Sequence, residues 1–473
     1  MIPMTLAEIA QAVRGQLVPH GDATEATVVS GVSDTDSRNI GAGDIFFAKP
    51  GEVTDGHLFA GRAVAQGAAL VVAERELADA PAPQIIVADT VTALGDLATE
   101  VVARVRAHGR LRVIAVTGSN GKTTTKNLLR EIFSRRGNVV APIGSFNNEV
   151  GAPTTFLQVT EETDWLIAEM GASGIGHIAR LARMAPPDVA IELMVGLAHA
   201  GEFGGIENVE LAKAELVEAL GEGGIAVLNA DDPRVARMAA KAPGRVVWFG
   251  RGQSAEIRAE EVSVASDGTR FTLVAPGETP EQVHFPVIGE HHVMNALAAT
   301  AAAHAVGVPV ADVADVLREV TLAEHGRMEV LTREPITVIN DAYNANPNSM
   351  AAALRTLAQI ADDGQRKVAV LGAMAELGEF SVAEHDKLGE LAVRLDINRI
   401  VVVGRDARPL YLAAVAQGSW DNEASFSESA DEAFELLTRE LREGDLVLVK
   451  ASKSSGLNDL ANRLGDHVKG RLS

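Results

Sequence analysis

Residues 112–124, RVIAVTGSNGKTT, run from an apolar strand-like stretch into Gly118, Ser119, Asn120, Gly121, Lys122, Thr123 and Thr124. Glycines in such a turn let successive backbone N–H groups converge on phosphate oxygens. A lysine there meets the outer phosphates, and the hydroxyl after it ligates Mg²⁺. The general pattern G-x-x-x-x-G-K-[ST] requires glycine at position 116, where Val116 stands, so the chain carries the shortened form G-x-x-G-K-T. A helix expected over residues 122–136 adds its positive N-terminal end, completing an ATP-binding loop. The competing reading is an ordinary strand-to-helix turn that happens to hold Gly-Lys-Thr.

Other chemistry-bearing residues fall where strands should end. Glu169 closes the run WLIAE and reads as a Mg²⁺ ligand or as a loop carboxylate in water. His199 follows VAIELMVG and precedes a glycine-rich stretch, either as a ligand or as a packing residue. Lys213, in NVELAKAELVEAL, reads on its own as a solvated helical lysine. Asn295 sits among small and apolar residues of EHHVMNALAATAAA, where a buried packing asparagine is the plain alternative. Arg327 precedes a strand leading to NDAYNANP, whose Asp341 and Tyr343 suit a ribose hydroxyl and a base face, although a turn capping the next helix explains them equally well.

Positioning these groups requires several domains, because 473 residues exceed what one core usually organises. Residues 1–108 read as a small N-terminal α/β domain, with apolar strands ALVVAE and QIIVAD and a helix over 92–108 that stops at Gly109. Residues 109–322 alternate strands (VIAV, WLIAEM, DVAIELMV, GIAVLN, RVVWFG) with helices. That is a parallel-sheet, P-loop ATPase-type α/β domain, ending in a turn-rich antiparallel patch after Gly250. Residues 323–473 repeat the alternation in ITVIND, VAVLGAM, IVVVG and LVLVKAS, a Rossmann-like domain without G-x-G-x-x-G and so not a dinucleotide binder. Ligands of open parallel sheets lie beyond the carboxyl ends of the strands, where the residues above are expected.

Composition sets the outer limits. Asp plus Glu total 64 against 42 Lys plus Arg, a formal charge of −22, which argues against nucleic acid or an anionic membrane surface as partner. With no cysteine, disulfides and thiolate chemistry are excluded. The start MIPMTLAEIAQAVRG lacks a signal-peptide core and no long apolar run follows, so a cytoplasmic protein without membrane insertion is expected.

The ordered motifs TGSNGKTTTK, GSFNNEVGAP, AEMGASGIGHIARL, AHAGEFGGIENVELAKAEL, HHVMNALAA, HGRMEV, NDAYNANPNSM, LGAMAELGE and LVLVKASKS resemble the Mur ligases along the whole chain. NNEVGAP, DAYNANP with NSM, and LGAMAELG resemble the member that adds D-alanyl-D-alanine to UDP-MurNAc-tripeptide. The resemblance implies ATP-driven amide formation through an acyl phosphate, by a monomer acting on those two small-molecule substrates with Mg²⁺, two ions being expected. It implies Lys122, Lys213 and His199 in catalysis, with Lys213 carbamylated, and Thr123, Glu169, His199 and Lys213 around metal. Asn295, Arg327, Asp341 and Tyr343 match positions around ATP. Ser37 and Arg38 match the uridine diphosphate region, Asn147 and Asn148 the central substrate loop, and Lys450 and Lys453 the third domain's side of the cleft. Ala373, His177, Met194 and His292 depart from residues common at those positions. The rivals are another ligase of this architecture, such as a folylpolyglutamate-type enzyme, or a nucleotide-binding protein without turnover.

Overall fold

The computed structural model describes residues 1–51, 54–197, 200–321, 325–418 and 423–470. The first principal sheet runs Gln16–Val18, Gln84–Ile86, Leu70–Ala73, Ile45–Phe47, Ser33–Asp34, parallel except for its first pair. The helix expected at 92–108 spans Thr90–Ala107, starting earlier because Asp89 caps it through Thr92 N at 2.6 Å. Gly109, at φ +83°, ends it. Its buried face, including Leu94, Leu97, Val101 and Val105, joins the first sheet and one face of the second in a continuous core.

The second sheet places β1 (Arg112–Thr117) third from one edge, between parallel strands β2 (Trp165–Glu169) and β3 (Val189–Glu192). Helix α1 (Lys122–Ser134) follows the phosphate loop and is shorter than the expected 122–136: Arg135 and Arg136 turn outward to pair with Glu319 and Asp312. Along β1, Val113 and Ala115 face one core and Ile114 and Val116 the other. Register then fixes two carboxylates. Glu169 pairs with Val116 and Glu192 with Thr117, so the last residues of β2 and β3 project to opposite faces of the sheet. Glu169 takes the side covered by α1 and α3 (Glu290–Ala305), whereas Glu192 takes the side covered by α2 (Ile206–Glu218). Beyond Gly250, Ile257–Ala265, Gly268–Val274 and Glu281–Phe285 pair antiparallel, as their alternation predicts.

The third sheet runs Glu329–Thr332, β4 (Thr337–Asn340), β6 (Leu446–Lys450), β5 (Lys367–Leu371), Arg399–Val403, Ala424–Ser427. Only the first pair is antiparallel. Its inner four strands are the apolar runs read from the sequence, buried between two cores. After β4 the chain turns into α4 (Pro347–Ile360), capped by Asn346. No helix among the described residues is long and apolar enough to cross a membrane.

Candidate active site

Gly118 (φ +147°) and Gly121 (φ +85°) adopt the backbone that the turn requires, and neither position has room for a side chain. A Cβ would stand 2.7 Å from Leu193 Cβ at the first and 2.1 Å from Asn295 Oδ1 at the second. Ser119 staples the loop to the segment after β3: its N–H donates to Met194 O at 2.8 Å, and its hydroxyl accepts from Gly196 N at 2.8 Å. Lys122 Nζ donates to Gly118 O at 2.8 Å. Burial lowers the Lys122 pKa, while Glu169 and Glu192 oppose that shift.

Thr123 and Glu169 meet beside the loop. Thr123 Oγ1 lies 3.3 Å from Glu169 Oε1, which also accepts from Asn147 Nδ2 at 2.7 Å. Glu169 Oε2 is buried with no hydrogen-bond partner. An orphaned buried carboxylate oxygen beside a hydroxyl and a phosphate loop fits a divalent cation.

Residues after β4 and β6 form the opposite wall, enclosing with the loop a cleft of about 730 Å³. Arg327 stacks over Tyr343, its Cζ 4.3 Å from the ring centroid, and its Nη2 donates to Thr123 Oγ1 at 3.2 Å. The Tyr343 hydroxyl lies 2.9 Å from Ser145 Oγ. Lys450, nearly buried, holds Asp341 Oδ2 at 2.6 Å and donates to Asn344 O at 3.1 Å, so the Asp341 carboxylate is already paired. His291 also lines the cleft, and burial takes its pKa down to about 4, leaving a neutral ring at pH 7.

The cleft thus gathers Ser119 through Thr124, Asn147, Glu169, Asn295, Arg327, Asp341, Tyr343, Lys450 and Lys453. Gly118 contributes its carbonyl to Lys122. Asn148 is not part of this wall; its Oδ1 accepts from Gly151 N at 2.8 Å, where the helix Gly151–Phe156 begins. Ser37 and Arg38 lie on the first sheet's side of the molecule, Ser37 buried and Arg38 exposed in a 2.5 Å pair with Asp36. His199 lies outside the described residues.

Lys213 is buried on α2, behind the phosphate loop rather than in the cleft wall, and is not the solvated helix lysine of the plain reading. Burial takes it down to about 7, Lys122 adding to the shift and Glu192 opposing it. Glu192 has no solvent exposure, and neither of its oxygens has a hydrogen-bond partner. Burial pushes it up to about 8 against the pull of Lys213 and Lys122. Sequence reading passed over Glu192, although a carboxylate inside the apolar run VAIELMV is itself a signal, since buried charge requires a partner. Ser145 and His291 were also missed, because their place in the site depends on partners far away in the chain.

A phosphate loop, a carboxylate with a free buried oxygen, and a second sheet presenting cations and an aromatic ring across one cleft define a nucleotide-dependent enzyme. The chain belongs to the Mur ligase family. The family's middle-domain model matches residues 116–303, its glutamate ligase domain 326–453 and its catalytic domain 31–101. The UDP-N-acetylmuramoyl-tripeptide–D-alanyl-D-alanine ligase of Mycobacterium tuberculosis is 44% identical, over 98% of each chain. Among solved structures, a crystal structure of MurF from Acinetobacter baumannii superposes with a TM-score of 0.87 at 33% identity, over 98% of this chain and 99% of that one. MurF from Thermotoga maritima in complex with ADP gives 0.80 at 27% identity, over 93% and 99%.

Proposed function

We propose that this chain joins D-alanyl-D-alanine to UDP-N-acetylmuramoyl-tripeptide at the expense of ATP, forming the pentapeptide precursor of peptidoglycan. The observation that carries this reading is the full-length 44% identity to a ligase of that name, together with an intact phosphate-loop cleft. The tripeptide's terminal carboxylate oxygen attacks the γ-phosphorus and ADP leaves. The dipeptide amine then attacks the acyl carbon, loses a proton, and expels phosphate. Attack by a carboxylate on a triphosphate is opposed by charge, so positioning and fixed cations dominate the catalysis.

The residues present fit those demands. The loop N–H groups and Lys122 receive the outer phosphates, and Arg327 supplies a second cation from the facing wall. Thr123 and Glu169 would hold Mg²⁺, which neutralises phosphate charge when bound. Tyr343 and Asp341 form the nucleoside side, with Asn295 setting the loop's shape through Gly121. Ser37 and Arg38 receive the uridine diphosphate, Arg38 exchanging Asp36 for phosphate, while Asn147 and Lys453 border the peptide end and Lys450 holds the Asp341 carboxylate in place.

Lys213 is the candidate for carbamylation and, with His199, the family-matched candidate to hold a second metal ion. A pKa near 7 leaves a substantial fraction as the free amine that CO₂ capture needs. Glu192, pushed up to about 8, is mostly protonated at neutral pH and so tolerates a new carboxylate alongside. The test is isotopic. Tripeptide substrate labelled with ¹⁸O in its terminal carboxylate should transfer one ¹⁸O to the released phosphate; unlabelled phosphate would overturn the acyl-phosphate route.

A further inference from the structure

The phosphate loop touches the C-terminal sheet's side of the cleft through a pair of amides. Asn120, between the loop's two glycines, donates from Nδ2 to Asn346 Oδ1 at 3.2 Å, and Asn346 Nδ2 donates back to Asn120 Oδ1 at 2.5 Å. The partners are 226 residues apart in sequence. Asn346 is 8% exposed and cannot turn freely, because it also caps α4: its Oδ1 accepts from Ser349 N at 3.0 Å and its own N–H donates to Ser349 Oγ at 3.1 Å. Asn120 is held from behind by the stapling of Ser119 to the end of β3. Each amide therefore presents both its donor and its acceptor to a partner whose orientation is set by its own element.

Two further side-chain bonds cross the same cleft, Arg327 to Thr123 and Tyr343 to Ser145. All of these bonds join side chains, but the amide pair is reciprocal, and its Asn346 is also fixed as the cap of α4. Reciprocal amide bonds have one satisfying geometry, so they fix register as well as distance.

We propose that Asn120 and Asn346 are positioning residues, an amide clasp that registers the C-terminal sheet on the phosphate loop so that Arg327 stands opposite the reacting phosphate. The proposal rests on the ligase reading above. The clasp acts on the chemical step, because it sets where the facing wall stands, while the loop N–H groups that receive a nucleotide stay in place without it.

The test separates the clasp from the helix cap. Asn346→Asp keeps an N-cap acceptor for Ser349 but removes the amide donor and turns a carboxylate toward Asn120 Oδ1; Asn346→Ser is a second capping substitution that also breaks the pair. Both should lower kcat for amide formation by about tenfold, the worth of one to two neutral hydrogen bonds. The dissociation constant for Mg-ADP and the melting temperature should stay close to the parent's. Asn120→Ala should lose about as much, and the Asn120→Ala/Asn346→Asp double variant no more than Asn120→Ala alone. Multiplying losses in the double variant would overturn the proposal, as would a loss confined to Mg-ADP affinity or to melting temperature. The parent's own coupled turnover is measured alongside. Its absence would remove the ligase reading, whereas an active parent with unaffected Asn346 variants would remove the clasp alone.

Discussion

Glu192→Gln is the most informative single perturbation of the buried charges behind the phosphate loop. The carboxyl has no exposure and no hydrogen-bond partner, and burial raises it from 4.5 to about 8. A raised acid means that the folded protein holds a proton the unfolded chain has released, so stability falls as pH rises from 4.5 to about 8. At pH 7 the two pKa values imply about 2.5 pH units of unequal protonation, worth about 3 to 4 kcal/mol at about 1.4 kcal/mol per unit. Glutamine cannot ionise and removes that cost. It also removes the favourable pull on Lys213, which then titrates lower still and stays neutral more readily. Lys213, lowered to about 7, makes stability rise with pH between about 7 and 10.5 in the parent and from a lower pH in the variant, which adds to the difference in the same direction. The expected result is that melting temperatures of the two proteins nearly coincide at pH 5 and separate progressively toward pH 8 in favour of the variant. A difference independent of pH would refute the argument, since it would mean that Glu192 ionises alike in the folded and unfolded chains.

Gly121→Ala should lose at least about tenfold in affinity for Mg-ADP, because its Cβ would meet Asn295 Oδ1 at 2.1 Å and its φ is +85°; unchanged binding of a fluorescent ADP would contradict that geometry. Lys213→Ala should abolish turnover, with no recovery in excess bicarbonate and partial recovery with a small carboxylic acid, as read by phosphate release; full activity would show that Lys213 is not part of the machinery.

The phosphate loop was legible because its chemistry is local: glycine spacing, lysine and hydroxyl are contiguous, and the strand and helix around them carry strong periodicity. Glu169 was legible from the same logic, a carboxylate closing an apolar run. The third sheet's inner strands were plain, whereas its edge strands, Glu329–Thr332 and Ala424–Ser427, are short and only partly buried, so they lack an apolar signature. Four of the first sheet's five strands have only two or three residues, and three of these, Gln16–Val18, Ser33–Asp34 and Ile45–Phe47, were missed because so few residues carry no periodicity. What patterning could not reach was pairing at long range. Tyr343 with Ser145, Asn120 with Asn346, and Lys450 with Asp341 depend on how two sheets face each other. Lys213 shows the remaining gap: its helix was clear, but its burial opposite Glu192 follows from β3 register, which no single segment reveals.

The central claim is that ATP cleavage in this cleft is tied to amide formation. The most direct measurement is phosphate release from Mg-ATP by the purified protein, with UDP-N-acetylmuramoyl-tripeptide and D-alanyl-D-alanine supplied singly and together and the products weighed by mass spectrometry. The account predicts sustained release only with both substrates, matched one for one by pentapeptide. Release matched to a different acceptor, or release that ignores both substrates, would contradict it.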